Sequence, residues 1–344
     1  MRKVFASLLL LAVLLSSGCV NVPQELCVLP GLCGGKTEFA HDVIVIKSLE
    51  ALPNRVAPGQ QIKLQSYIEN RGNERVDDIE VVLYDTCGLF SKVVPECPGG
   101  KKITERGVGC KIELLPLQTK PVSWNLVSDK NIRILSRCDL KIYARYTYTT
   151  ESVTSITLID YREYQKLLDE GKLKSRGSYI TEGYGPVKPY LTVEEQQPVP
   201  VGDEGGIITL GFQIKNRGSG FLSEGNEIKF DWQGECDPSR LSSGTICMKT
   251  TKMGRGGKYD IVYRAGNGKG DVYSGLKECL EEHFKKEGKI ALIKGESPKI
   301  ICPIPLPKPQ EVNLPKESTI HVTTAIKYTY EFRREVRVTV EPKI

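Results

Sequence analysis

Cysteine is the residue type in this chain best placed to do chemistry. The 344 residues hold eleven: Cys19, then Cys27 and Cys33, then Cys87, Cys97, Cys110 and Cys138, then Cys236, Cys247, Cys279 and Cys302. Paired Cys-x-x-Cys spacings or cysteines clustered with histidines would make zinc ligands. Neither pattern occurs, so no metal site is expected. The three histidines read as structural: His41 caps the strand-like DVIVIKSL, His283 lies off the apolar stripe of a helical segment, and His321 sits in the strand-like TIHVTT. Gly-x-Ser-x-Gly, His-Glu-x-x-His and the phosphate-binding Gly-rich loop are all missing. RGGKYD (Arg255–Asp260) and GNGKGD (Gly266–Asp271) carry glycines and a lysine without the phosphate-cradle spacing, and read as loops. Glu194-Glu195 and Glu281-Glu282 are adjacent acids; neighbours on a helix face apart, so Glu281 and Glu282 make no acid–base pair. No catalytic residue and no cofactor is assigned.

The N-terminus supplies an address. Arg2 and Lys3 precede an apolar run from Val4 to Leu15, broken only by Ser7. About a dozen residues are too few for the ~20 that span a bilayer as a helix, so residues 1–18 read as a removable export signal. Leu15-Ser16-Ser17-Gly18-Cys19 resembles the lipobox of prokaryotic lipoproteins. That resemblance implies cleavage before Cys19, a diacylglyceryl thioether on its sulfur, and a protein held on the extracytoplasmic face of the cell membrane. Two acyl chains suffice for stable attachment. Losing Arg2 and Lys3 lowers the net charge from +6 to +4, too small and too dispersed for a nucleic-acid partner. With Cys19 set aside ten cysteines remain, an even number that in an exported protein reads as disulfides.

A module occurs twice. QIKLQSYIENRG (Gln61–Gly72) and IITLGFQIKNRG (Ile207–Gly218) align without a gap. Ile62, Leu64, Ser66 and Ile68 alternate with outward positions, as do Ile208, Leu210, Phe212 and Ile214, each 146 residues later. Period two marks a strand with one buried face. Each copy stops at Asn-Arg-Gly, a turn signal. A second strand is expected after each turn, Asp78–Asp85 and Asn226–Trp232, closed by Cys87 and Cys236. The copies also end alike: Tyr143–Asp160 and Ala325–Glu341 both carry Tyr-Thr-Tyr, 182 residues apart. Those tyrosines read as a sheet face with wet hydroxyls, or alternatively as a platform for stacking carbohydrate. The extra chain in the second copy includes a helical segment, Ser274–Gly288, with Leu276, Cys279, Leu280 and Phe284 on one face. Between the copies, Tyr161, Tyr164, Leu167 and Leu168 predict a helix that stops at Gly171 and sets the angle between the halves.

The expected fold is therefore mainly β, two β-sandwiches in tandem with a short linker helix and a small helical insertion in the second. On the Pro58-Gly59 turn, the alternating strand and Asn-Arg-Gly, each copy resembles the immunoglobulin-like, adhesion-associated modules of archaeal and bacterial surface proteins. The expected boundaries are a lipidated segment at 19–40, a first domain at 41–160, helix and linker at 161–188, and a second domain at 189–344 with an insertion at about 237–300. Lys- and Glu-rich, disulfide-dense composition suits an archaeal origin.

Aligning the repeats pairs Cys87 with Cys110 and Cys236 with Cys302, leaving Cys97 with Cys138, Cys247 with Cys279, and Cys27 with Cys33. The Pro-rich Cys302–Gln310 reads as an edge strand in which proline blocks strand addition. The resulting expectation is a lipid-anchored structural or adhesive protein that binds surface protein or glycan partners without catalysis. The alternatives are an extracytoplasmic enzyme, or a ligand-binding subunit of a transporter, with its site in the second-domain insertion.

Overall fold

The computed structural model describes residues 41–104, 107–223, 227–228, 245–253, 272–287, 290–306 and 316–342. The signal segment, Cys19, Cys27, Cys33, Cys236 and both glycine-rich loops lie outside the described residues, as does most of Asn226–Trp232.

Nineteen strands and two helices are described. The first copy holds β1 (Ile44–Leu52), β2 (Arg55–Val56), β3 (Gln61–Asn70), β4 (Val76–Asp85), β5 (Phe90–Glu96), β6 (Lys101–Ile103), β7 (Val108–Leu114), β8 (Thr119–Ser128) and β9 (Ser136–Asp160). Helix α1 (Tyr161–Asp169) follows, then β10 (Tyr179–Glu182), β11 (Val187–Val193), β12 (Val199–Val201), β13 (Gly206–Asn216), β14 (Phe221–Leu222), β15 (Glu227–Ile228) and β16 (Thr245–Met253). Helix α2 (Val272–Glu287), β17 (Ile290–Ala291), β18 (Ile300–Leu306) and β19 (Glu317–Val340) complete the chain.

The alternating strands behave as their pattern dictates. Ile62, Leu64, Ser66 and Ile68 of β3 are buried, and so are Ile208, Leu210, Phe212 and Ile214 of β13. β3 lies inside a sheet ordered β1-β3-β8-β5, and β13 inside one ordered β11-β13-β18. Each faces the same third sheet, built on β9 and β19. Trp124 of β8, fully buried, donates its indole N–H to the Val108 carbonyl of β7 across the first sandwich at 2.7 Å. Thr154 of β9 donates to the Leu191 carbonyl of β11 across the second.

That shared sheet joins the two copies. β9 and β19 pair antiparallel without a break from Ser136↔Val340 to Ile159↔Glu317. Neither contains Gly or Pro, and both are dense in β-branched and aromatic residues, so nothing stops either strand. At ~3.3 Å per residue each runs about 80 Å. The strand ending each copy crosses into the other: β19 pairs parallel with β2 of the first copy (Thr339↔Arg55), and β9 with β12 of the second (Leu158↔Val199). Residues 41–344 accordingly form one compact unit. An approximate two-fold axis passes between Thr147 and Thr329, which are register partners and repeat equivalents.

Helix α1 starts where Asp160 Oδ1 accepts from Arg162 N and Glu163 N, and ends at Gly171, whose φ of 63° suits glycine. It buries no residue, leaving Tyr161 and Leu168 about half exposed, so it is not the expected wedge between halves. Helix α2 does cover core: Leu276, Leu280 and Phe284 are buried against the sheet of β18. Ser274, expected as its N-cap, lies inside the helix. β18 is an edge strand of its three-stranded sheet, as its prolines require.

The disulfides depart from the repeat-derived pairing. Cys87 joins Cys138, Cys97 joins Cys110, and Cys279 joins Cys302. The expected Cys87–Cys110, Cys97–Cys138, Cys236–Cys302 and Cys247–Cys279 pairs are thereby excluded; Cys27–Cys33 lies outside the described residues. Cys87 and Cys138 terminate neighbouring strands of one sheet, while Cys97–Cys110 ties the β5 end to β7 across the sandwich. Register explains the mismatch. Leu64 faces Trp124 in the first copy, and Leu210 faces Cys302 in the second. Cys302 therefore occupies the place of Trp124, not of Cys110. Where the first copy fills its core with an indole, the second has a sulfur, and α2 is bonded through it.

Candidate functional site

The outward face of the β4-β9-β19 sheet carries a group of charged, hydroxyl and aromatic side chains. Side chains alternate along a strand. Ile142, Ala144, Tyr146 and Tyr148 of β9 point into the sandwiches, so Tyr143, Arg145 and Thr147 point the other way. β4 adds Asp78 and Glu80, β7 adds Lys111, and β19 adds Thr329. Together they line a groove of about 560 Å³ around the approximate two-fold axis.

One lining residue, Arg145, belongs to an ion cluster. Glu331 of β19 is 1% exposed. Its Oε2 accepts from Arg145 Nη2 at 2.7 Å and Nε at 3.1 Å, and its Oε1 accepts from Arg333 Nε at 2.6 Å. Burial alone would lower the Arg145 pKa; the hydrogen bond and charge of Glu331 outweigh it, and the pKa is raised. The Arg145 guanidinium also lies 4.7 Å over the Tyr143 ring, and Arg333 lies 4.5 Å over Phe221. These cation–π contacts hold planar groups flat against the sheet. Asp78 and Lys111 form an exposed ion pair at 3.0 Å on the wall, and the Thr147 and Thr329 hydroxyls meet at 3.4 Å in the centre.

The repeated Tyr-Thr-Tyr motifs do something other than either sequence reading. Tyr146, Tyr148, Tyr328 and Tyr330 are all buried, so they form no exposed platform for stacking carbohydrate, although Tyr146 borders the groove. Tyr146 stacks edge-on to Tyr330, and Tyr328 to Tyr330. The Tyr328 hydroxyl meets Thr150 Oγ1 at 2.8 Å. Tyr330 donates to Asn216 Oδ1 and accepts from Gly220 N, joining the tyrosine cluster to the second Asn-Arg-Gly turn. Each turn closes alike: Asn70 Oδ1 accepts from Gly72 N, and Asn216 Oδ1 from Gly218 N. Asp42 sits in the same crowd, accepting from Ser219 N with both oxygens. Burial raises its pKa despite those hydrogen bonds. Burial also pushes the Tyr148 hydroxyl up to about 12.

The remaining residues singled out from sequence scatter. His321 Nδ1 meets Ser155 Oγ at 3.0 Å on the same sheet, His283 packs beside Phe284 on α2, and His41 is exposed ahead of β1. Among the described residues no group of His, Cys, Asp and Glu has metal-binding geometry. The groove residues were not recognisable beforehand, because Arg145 and Glu331 stand 186 positions apart and only the β9–β19 register makes them neighbours.

No protein-family model matches the chain, nor does any curated protein. Among solved structures it is similar to the Enterococcus faecalis MSCRAMM ACE, whose structure is described as binding its ligands by the collagen Hug model. Identity is 8%, coverage 87% of this chain and 95% of that one, and the TM-score 0.19. It is also similar to the collagen adhesin CNA from S. aureus, at 12% identity, 90% and 96% coverage, and a TM-score of 0.15. At such scores neither likeness bears on function.

Proposed function

We propose that this is an extracytoplasmic adhesive protein, anchored to the membrane through a lipid on Cys19, that holds a surface protein or glycan in the groove of the β9–β19 sheet. The observation that carries the reading is the groove itself: about 560 Å³, lined by Arg145, which is held by the buried Glu331, by charges of both signs and by Thr147 and Thr329. A few polar groups held in fixed positions suit recognition by hydrogen bonding. Three disulfides among the described cysteines fit an oxidising compartment, as an exported chain requires, and the lipobox-like Leu15–Cys19 supplies the anchor.

Thr147→Trp tests this. Thr147 is exposed at the groove centre, so an indole there fills the space without touching the core. The full chain is compared with this variant on a glycan array and in binding to intact cells. Binding abolished by Thr147→Trp supports the groove; binding retained in full assigns the partner elsewhere. Mass spectrometry of the membrane-extracted protein checks the acyl group on Cys19.

A further inference from the structure

A second cavity, of about 380 Å³, lies on the other half of the same sheet and is independent of the groove. Its floor is the outward row of the long strands: Ser155 and Thr157 of β9 and Thr319 of β19, all half-buried. Its wall is the chain between α1 and β10, which brings Lys174, Arg176 and the exposed ring of Tyr179 to the rim. Lys172, also at the rim, is engaged with Glu170 at 2.9 Å, and Glu317 is the one carboxylate among the lining residues. Lys174 and Arg176 have no ion-pair partner among the described residues.

The wall is anchored, not loose. Arg176 N donates to the Gln197 carbonyl at 2.8 Å, and Gln197 N to the Arg176 carbonyl at 3.0 Å. The Gln197 side chain is buried and bonded to β9: its Oε1 accepts from Thr157 N at 2.6 Å, and its Nε2 donates to the Ser155 carbonyl. The backbone carrying Arg176 is thereby held over the hydroxyl floor, and such preorganisation favours binding.

We propose that this cavity binds a sugar acid, its carboxylate taken by Arg176 and Lys174 and its hydroxyls by Ser155, Thr157 and Thr319. Guanidinium matches carboxylate in a two-bonded fork. Side-chain hydroxyls both donate and accept, which suits a polyol. The volume lies at the small end of ligand pockets, the size of a mono- or disaccharide. Tyr179 supplies an apolar ring face for the sugar's C–H side.

The test titrates the full chain with glucuronic acid, glucose and inorganic phosphate at constant ionic strength, followed by calorimetry. Saturable binding of glucuronic acid is expected, with glucose and phosphate each at least about tenfold weaker, the difference one charge-assisted hydrogen bond makes. Arg176→Gln and Lys174→Gln should each weaken glucuronic acid about tenfold with unchanged melting temperature. Thr157→Val with Thr319→Val should weaken glucuronic acid and leave phosphate as it was. Glucose binding as tightly as glucuronic acid would overturn the proposal, as would phosphate binding as tightly. So would glucuronic acid that does not saturate, or saturates without regard to these substitutions.

Discussion

Replacing Arg145 by Met should be among the more damaging single changes on the outward sheet face. The Glu331 side chain is 2% exposed. Arg145 gives it two of its three hydrogen bonds; Arg333, half exposed, gives the third. Breaking a buried pair from one side costs about 3–5 kcal/mol because the orphaned charge stays desolvated. The remaining Arg333 contact places Arg145→Met near the lower end, about 3 kcal/mol. Glu331→Leu should cost less, about 1–2 kcal/mol, since Arg145 retains the Tyr143 ring and Glu80 at 3.8 Å. Removing both charges together, Arg145→Met with Glu331→Leu, should lie close to the parent, as replaced buried pairs often do. Urea unfolding of the four proteins gives the cycle, with equal slopes required for the comparison. A coupling energy below about 1 kcal/mol, with the double variant as unstable as the two singles combined, would refute the claim that these groups form one buried unit across the β9–β19 seam.

Gly218→Ala should be the costlier of two equivalent glycine changes. A Cβ there would collide with Asp42 Oδ1, the Tyr330 hydroxyl and Pro186, whereas at Gly72 it meets a Val43 methyl at 2.8 Å. Overpacking of this kind costs about 1–3 kcal/mol, and thermal melts of the two variants should rank accordingly. Replacing both cysteines of Cys87–Cys138, which closes 51 residues, should cost about 4 kcal/mol in the chain-entropy picture, against ~3 for Cys97–Cys110, which closes 13; non-reducing peptide maps check the pairing and denaturant melts the order. Asp42 holds a proton more readily when folded than unfolded, so stability should fall as pH rises from the ordinary carboxylate value through its raised one. Asp42→Asn should flatten that part of the stability–pH curve.

Much of the local structure is written in the residue pattern. Period-two alternation marks β3 and β13 and the face each buries, Asn-Arg-Gly marks two turns that close with the same hydrogen bonds, and Leu276, Leu280 and Phe284 mark the covered side of α2. These are properties of a few consecutive residues, decided by side-chain direction and turn chemistry.

Partnership between distant strands is a different quantity. Alternation says which face of Tyr143–Asp160 is buried but not whose sheet it completes, and repeated sequences make each copy's last strand an acceptable neighbour for the other copy. Only the folded chain shows β9 against β19 along nearly their whole length. From that register follow the Arg145 pairing with the buried Glu331 and the groove that Arg145 lines. It also buries the tyrosines that sequence placed on a surface. The cysteine pairings depend on three-dimensional proximity in the same way: Cys302 is aligned by sequence with Cys110, but strand register sets it in the position of Trp124. The sequence determined the elements and their buried faces because those depend on near neighbours. The tertiary structure alone decided which elements meet, because that choice is settled by contacts between residues far apart in the chain, 186 positions for Arg145 and Glu331.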